Sequence, residues 1–336
     1  MAADGLLGLR RLDPQLAAEL VAGLAAVEEQ LRESVKSDYP FVAETSRHLV
    51  DAGGKRFRPL LALLAAQFGD PHAPGIVPAA VVVELTHLAT LYHDDVMDEA
   101  ALRRGAPSAN ARWDNTVAIL TGDFLFAKAS DLLADLGPEA VRIQARTFER
   151  LVTGQIRESV GPAAGEDPVE HYLTVLADKT GSLIATSGRF GALLSGADEQ
   201  TVDVLTRFGE RIGVAFQLAD DLLDVTSESG QSGKAAGTDL RSGVPTLPVL
   251  HARTLIAAST DPEDERLGEL LNADLADPAR HGEALTRLRG HRALELARGD
   301  LLRYAGEARG VLAPLPDGPP KAALQDLCDA VVSRSS

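Results

Sequence analysis

Leu16, Leu20, Leu24, Val27 and Leu31 recur at three- and four-residue steps, and Leu60, Leu63, Leu64 and Phe68 do the same. That spacing lays apolar side chains along one face of an α-helix. No stretch alternates β-branched and polar residues between turn signals, so no sheet is expected. The periodicity predicts ten or more helices, roughly at 14–37, 40–51, 58–69, 75–98, 114–136, 138–160, 167–195, 198–227, 245–258, 280–306 and 320–334. The fold class expected is all-α. No low-complexity linker interrupts the pattern, so residues 1–336 are expected to form a single helical domain.

Charge and cysteine usage narrow the classes of function. Lys+Arg 33 against Asp+Glu 49 gives a net charge of −16, which argues against a nucleic-acid or anionic-membrane surface. Basic residues that cluster in so acidic a chain need a local explanation. The single cysteine, Cys328, permits neither an intramolecular disulfide nor a cysteine zinc cage. Met1 to Pro14 lacks the pattern of a signal peptide, and the apolar stretch Ile76 to Tyr92 contains Glu84 and His87. These features lead to the expectation of a soluble, cytoplasmic protein without a transmembrane segment.

Two segments carry the chemistry. His93-Asp94-Asp95-Val96-Met97-Asp98 and Gln217-Leu218-Ala219-Asp220-Asp221-Leu222-Leu223-Asp224 each place an Asp-Asp-x-x-Asp cluster at the C-terminal end of an apolar helix. The i, i+4 spacing sets Asp94 with Asp98, and Asp220 with Asp224, on one face. Like charges repel there, and the helix C-terminus already carries partial negative charge. A solvated acidic helix end would account for one such cluster; two are better explained by bound cations. Carboxylates without softer ligands select hard ions such as Mg²⁺. A calcium loop would need alternating ligands and a glycine turn. A di-iron bundle would need two Glu-x-x-His motifs, and only Glu84-Leu85-Thr86-His87 is present.

The basic residues fit the same picture. Gly53-Gly54-Lys55-Arg56-Phe57-Arg58-Pro59 puts three cations beside a glycine turn and a helix start, where free amides favour an anion. Arg103-Arg104-Gly105 follows the first aspartates, Lys179-Thr180 lies mid-helix, and Lys234 lies in the long glycine-rich stretch Ser227 to Gly243. Connections of that length without regular structure are usually functional or disordered. Cations for two diphosphates and aspartates for bridging metals would form one self-consistent site.

In this order these motifs, together with Phe216-Gln217 and Gly237-Thr238-Asp239-Leu240, resemble the trans-isoprenyl diphosphate synthase family. The resemblance runs from about Gly53 to Leu250. It implies a helical bundle of the isoprenoid synthase type around a central cavity, a homodimer, and Mg²⁺ as cofactor, with three ions per active site when substrate is bound. The substrates implied are isopentenyl diphosphate and an allylic diphosphate. By the same resemblance Lys55, Arg58, His87 and Arg104 would hold isopentenyl diphosphate. Asp94, Asp98 and Asp220 would ligate magnesium, with Asp95, Asp221 and Asp224 as further ligands or their supports. Arg103, Lys179 and Lys234 would contact the allylic diphosphate, and Thr180 and Gln217 would line the reacting centre. One departure is Val244, where many family members carry a lysine.

Product length should depend on what lies below the first aspartates. At 1.5 Å of rise per residue, Ala89 lies about 7.5 Å and Thr90 about 6 Å down the helix from Asp94. Both are small, which could equally serve close helix packing. In the family, small residues here accompany longer products. The run Leu88 to Asp98 resembles long-chain polyprenyl synthases of actinobacteria, implying a geranylgeranyl or longer product and a menaquinone side chain. Two rival readings are a class I terpene cyclase, which has no use for the Lys55/Arg58 cluster, and a non-catalytic subunit of a heteromeric synthase, which would typically have lost aspartates.

Overall fold

The computed structural model describes residues 12–227 and 236–334. Its elements are α1 (Pro14–Ser34), α2 (Pro40–Asp51), α3 (Phe57–Ala66), α4 (Ile76–Met97), β1 (Leu102–Arg103), β2 (Ala106–Pro107), α5 (Ala109–Arg112), α6 (Asn115–Leu136), α7 (Pro138–Val160), α8 (Pro168–Leu176), a π-helical turn (Ala177–Gly181), α9 (Ser182–Leu194), α10 (Glu199–Thr226), α11 (Thr238–Arg241), α12 (Leu247–Ala257), α13 (Pro262–Leu271), α14 (Pro278–Gly290), α15 (Arg292–Val311) and α16 (Pro319–Ser333). The fold is all-α apart from the two-residue antiparallel ribbon β1–β2.

Several helices start with one local device. Asp13, Asp167, Asp261 and Asp277 each precede a proline at the first helical position, and each carboxylate accepts from one or two amides of the first turn. The cap satisfies amides that have no partner within the helix, and proline gives up an N–H that would have had none.

The chain divides into two compact units. The first comprises Met1–Glu149, Ser182–Gly209 and Val311–Leu327; the second comprises Arg150–Gly181, Glu210–Gly310 and Cys328–Ser336. In the first unit α3 and α4 form the core, with almost every side chain of α3 buried. Helix α4 runs past Tyr92 to Met97, and by length and composition alone is long and apolar enough to cross a membrane. Its apolar side chains instead fill the interior of this unit, packed against α3, α6 and α9.

A buried ion cluster fixes one corner of the first unit. Arg56, in the left-handed conformation just before α3, donates to Glu84 of α4 at 2.8 Å, to Glu28 of α1 and to the Val50 carbonyl at 3.1 Å. Side-chain exposure is 6% for Arg56 and 2% for Glu84. Arg56 thus serves the fold.

The structure departs from two helices read in the sequence. Residues 167–195 form α8, the π turn and α9 in place of one regular helix, and 280–306 divides into α14 and α15 at His291. His291 is extended, its Nδ1 accepts from the Ala293 amide at 3.2 Å, and its Nε2 lies 3.1 Å from Asp264. The side chain caps the start of the next helix. Helix α13, absent from the sequence reading, begins on the Asp261-Pro262 cap and buries Leu267, Leu270 and Leu271.

Breaking a buried ion cluster leaves an unpaired charge, which costs about 3–5 kcal/mol. Arg56→Met should lower stability by that amount in chemical denaturation, whereas Lys55→Met, at an exposed position, should change it by less than about 0.5 kcal/mol.

Candidate active site

The first acidic cluster closes α4. Asp95 is fully buried, Asp94 is half-buried, and Asp98 is 60% exposed. Arg103 donates from Nε to Asp95 Oδ1 at 2.6 Å and lies 4.0 Å from Asp98, while Asp95 Oδ2 is buried without a partner. Burial raises the Asp95 pKa, and Arg103 pulls it back down. Arg103 reaches back because the β1–β2 ribbon turns through Arg104 and Gly105, both at positive φ. Two successive left-handed residues suit a two-residue hairpin whose twist matches its strands.

The same turn delivers Arg104 to a cationic pocket in the first unit. Its guanidinium donates to the Leu49 carbonyl at 3.2 Å and to the Gly53 carbonyl, the last turn and exit of α2. Gly54 makes this approach possible, since a Cβ there would lie 2.8 Å from the guanidinium carbon. Arg58, in the first turn of α3, has a buried Nε with no acceptor. Burial lowers the Arg58 pKa to about 10, with Arg104 working in the same direction and Glu84 against it. His87 is enclosed nearby; burial, then Arg58, Arg104, Arg56 and Arg103, push its pKa well below the ordinary value, so it is neutral. Cations packed together around an unsatisfied N–H form a pocket whose electrostatics favour an anion. Lys55 is exposed at the rim of the same segment.

Below the aspartates, Ala89 is fully buried, and Thr90 returns its hydroxyl to the His87 carbonyl at 2.8 Å. The Ala89 carbonyl would lie 3.1 Å from a Cβ at Gly122, so α4 and α6 approach closely at this level.

The second acidic cluster closes α10 in the second unit. Asp221 is buried and accepts from the Tyr172 hydroxyl at 2.6 Å, the Leu247 amide at 3.3 Å and the Gln217 side chain. Burial nevertheless pushes its pKa up to about 7. Asp224 accepts from the amides of Thr238 and Asp239 at 2.9 and 3.1 Å. Burial, with Asp239 adding to it, raises the Asp224 pKa to about 6. Asp220 faces outward and receives a hydrogen bond of 3.0 Å from Arg334, whose guanidinium stacks 4.7 Å above the Phe216 ring.

Lys179 and Thr180 sit on the π turn. Single π turns inside helices bulge the backbone and are frequent at functional sites. Asp178 anchors this one, bound by Arg150 at 3.1 Å and Arg157 at 3.0 Å, and Lys179 Nζ pairs with Glu158 at 2.5 Å. Val244 stays an apolar, part-exposed side chain, and Lys234 lies outside the described residues.

Lys55, Arg58, His87, Ala89, Thr90, Asp94, Asp95, Asp98, Arg103 and Arg104 therefore belong to the first unit; Lys179, Thr180, Gln217, Asp220, Asp221 and Asp224 belong to the second. Tyr172 and Arg334 were missed in the sequence because each lies far along the chain from the aspartate it serves. Among the described residues no three His, Cys, Asp or Glu side chains form a ready-made metal cage. Mg²⁺ does not require one, since it binds through one or two carboxylates together with water and phosphate oxygens. Asp98 is exposed, and Asp94 and Asp220 are each part-exposed.

An acid whose folded-state pKa exceeds its unfolded value of about 4 binds more protons folded than unfolded, so its stabilising contribution declines as pH rises. Between pH 4 and about 7, ionisation of Asp221 should cost the metal-free protein at most about 4 kcal/mol. Melting in chelator should therefore give a Tm difference between Asp221→Asn and wild type that grows in favour of the variant across this window. A pH-independent difference would contradict the assignment.

A family model described as polyprenyl synthetase matches residues 39–288. A nonaprenyl diphosphate synthase from Mycobacterium tuberculosis is 50% identical over 323 residues, covering 96% of this chain and 95% of its own length. A heptaprenyl diphosphate synthase component 2 from Geobacillus stearothermophilus is 39% identical over 90% of this chain and 93% of its own. Among solved structures, geranylgeranyl pyrophosphate synthase from Corynebacterium glutamicum, complexed with calcium and isoprenyl diphosphate, aligns with a TM-score of 0.86 at 45% identity, covering 96% of this chain and 99% of that one. With the family pattern spanning most of its length and a half-identical relative matched nearly end to end, this chain belongs to the polyprenyl synthetase family.

Proposed function

We propose that the chain is a trans-prenyltransferase that joins isopentenyl diphosphate to an allylic diphosphate and releases a linear all-trans polyprenyl diphosphate. The product is geranylgeranyl or longer, and serves as a menaquinone side-chain precursor. The observation that carries this reading is the buried Arg58 Nε without an acceptor, set beside neutral His87 and Arg104. A diphosphate oxygen would satisfy that N–H. Lys55 adds charge at the rim, and the neutral imidazole can donate one N–H without adding to the crowd of cations.

The remaining roles follow from chemistry. Mg²⁺ bound to Asp94, Asp98 and Asp220, three ions in the substrate-bound enzyme, would act as a Lewis acid toward a departing diphosphate. Lys179, released from Glu158, would hold the allylic diphosphate together with Arg103 and Lys234. Thr180 and Gln217 would border the reacting carbons. Orientation of the isopentenyl alkene against the allylic carbon would supply much of the rate. The proton lost after bond formation would pass to the released diphosphate. No protein nucleophile is needed, and Cys328 is unsuited to be one, since burial pushes its thiol up to about 12. Exposed Ile119 and Leu120 on α6 support a homodimer, and the single buried thiol is in keeping with a cytoplasmic location.

A second reading, one component of a heteromeric synthase, draws on the designation of the Geobacillus relative as a component. One assay addresses both. The purified chain, given farnesyl diphosphate, isopentenyl diphosphate and Mg²⁺, should make products of twenty or more carbons (about one added isoprene unit at the least). Ala89→Phe, reaching below the first aspartates, should shorten them. Recovery of only the fifteen-carbon starter would sink the proposal, unless a second protein restores extension, which would favour the heteromeric reading.

A further inference from the structure

Helix α14 carries no residue of the family motifs, yet two of its side chains grip the backbone around the second acidic cluster. His281 is buried, and both of its ring nitrogens are engaged. Nε2 lies 2.8 Å from the Gly237 carbonyl, and Nδ1 lies 3.3 Å from an Arg241 guanidinium nitrogen. A carbonyl only accepts and a guanidinium only donates, so one neutral tautomer satisfies both, with the proton on Nε2. Gly237 is held at φ +70°, and a Cβ there would lie 2.6 Å from His281 Nε2. The close fit is built around the imidazole.

Gly237 opens the turn that holds Asp224. Its amide donates to the Asp224 carbonyl at 2.7 Å, and the next two amides clasp the Asp224 carboxylate. About two helical turns further along α14, Arg289 donates to the carbonyls of Val225 and Ser227, each at 2.7 Å. Those carbonyls belong to the unsatisfied C-terminal end of α10, where a cation also offsets the helix dipole and the three aspartates. The same helix thereby fixes the end of α10 and the turn that clasps its last aspartate.

We infer that His281 and Arg289 are positioning residues for the second acidic cluster, setting the backbone that aims Asp220 and removes the Asp224 carboxylate from competition. Their hydrogen bonds go to backbone carbonyls and, for His281, to Arg241. The inference rests on the prenyltransferase reading for its activity readout only. If either grip is lost, Asp220 should bind metal less well while chemistry at saturating metal persists.

The test compares His281→Phe, His281→Gln, Arg289→Met and Arg287→Met in the full-length chain. Arg287 shares α14 but pairs with Glu263 and Glu283, so its loss reports a purely structural effect of the helix. Leaving buried polar groups unpaired by one hydrogen-bonding partner corresponds to about a tenfold change in an equilibrium constant. His281→Phe and Arg289→Met should therefore raise the Mg²⁺ concentration for half-maximal condensation by about tenfold, with kcat at saturating Mg²⁺ within about threefold of wild type. His281→Gln, which keeps an N–H for Gly237, should return to within about threefold of wild type, and Arg287→Met should match wild type. Mn²⁺ binding in the presence of inorganic diphosphate, followed by electron paramagnetic resonance, should weaken in the same order without any turnover. Arg289 is exposed, so its variant keeps the test open if His281→Phe fails to fold. Wild-type metal dependence in both His281→Phe and Arg289→Met, with only Tm altered, would overturn the inference. A wild-type enzyme without condensation activity would overturn the functional reading, and the Mn²⁺ ranking would still decide the role of α14.

Discussion

Three carboxylates within one turn, at the negative end of a helix, cannot all face the same way without mutual repulsion. The chain resolves this identically in both clusters by turning the middle aspartate inward and giving it a donor of its own. Asp95 receives Arg103, and Asp221 receives Tyr172 and the Leu247 amide. The outer positions then take different fates. Asp94 and Asp98 stay at the accessible end of α4, whereas on α10 the amides of α11 occupy Asp224 and leave Asp220 as the outward carboxylate. Equivalent sequence motifs thus end as inequivalent sites, decided by what each neighbouring loop can donate.

The cationic pocket of the first unit follows a similar logic. Arg56 is consumed by Glu28 and Glu84, and that ion cluster fixes the backbone from which Arg58 enters α3. Arg104 is brought in by a hairpin only two residues per strand, and Gly54 leaves room for it. Arg104, which would repel its neighbouring cations in a bare chain, is held by carbonyls, and burial beside these cations pushes the His87 pKa down.

Much of this was legible in the residues. The apolar periodicity located most helices, and the two Asp-Asp-x-x-Asp clusters lie at the ends of α4 and α10 where the spacing put them. Helix α13 was not read in the sequence: its short apolar face gives little periodic signal, although it opens on the same Asp-Pro device as α1, α8 and α14. The break at His291 and the π turn at Lys179 have no local propensity behind them, because partners from elsewhere in the chain impose them. For the same reason the division of labour within each aspartate cluster was hidden: Tyr172, Arg334 and His281 are close to the cluster in space and distant in sequence.

Under the proposed function the outward aspartates Asp94 and Asp220 carry the chemistry, and the inward Asp95 and Asp221 serve the architecture. The most direct measurement is the condensation rate of Asp94→Ala and Asp220→Ala at saturating Mg²⁺, with Tm recorded on the same samples. Loss of more than about a hundredfold in rate with wild-type Tm is the predicted result. Near-wild-type rates in either variant would contradict the central claim.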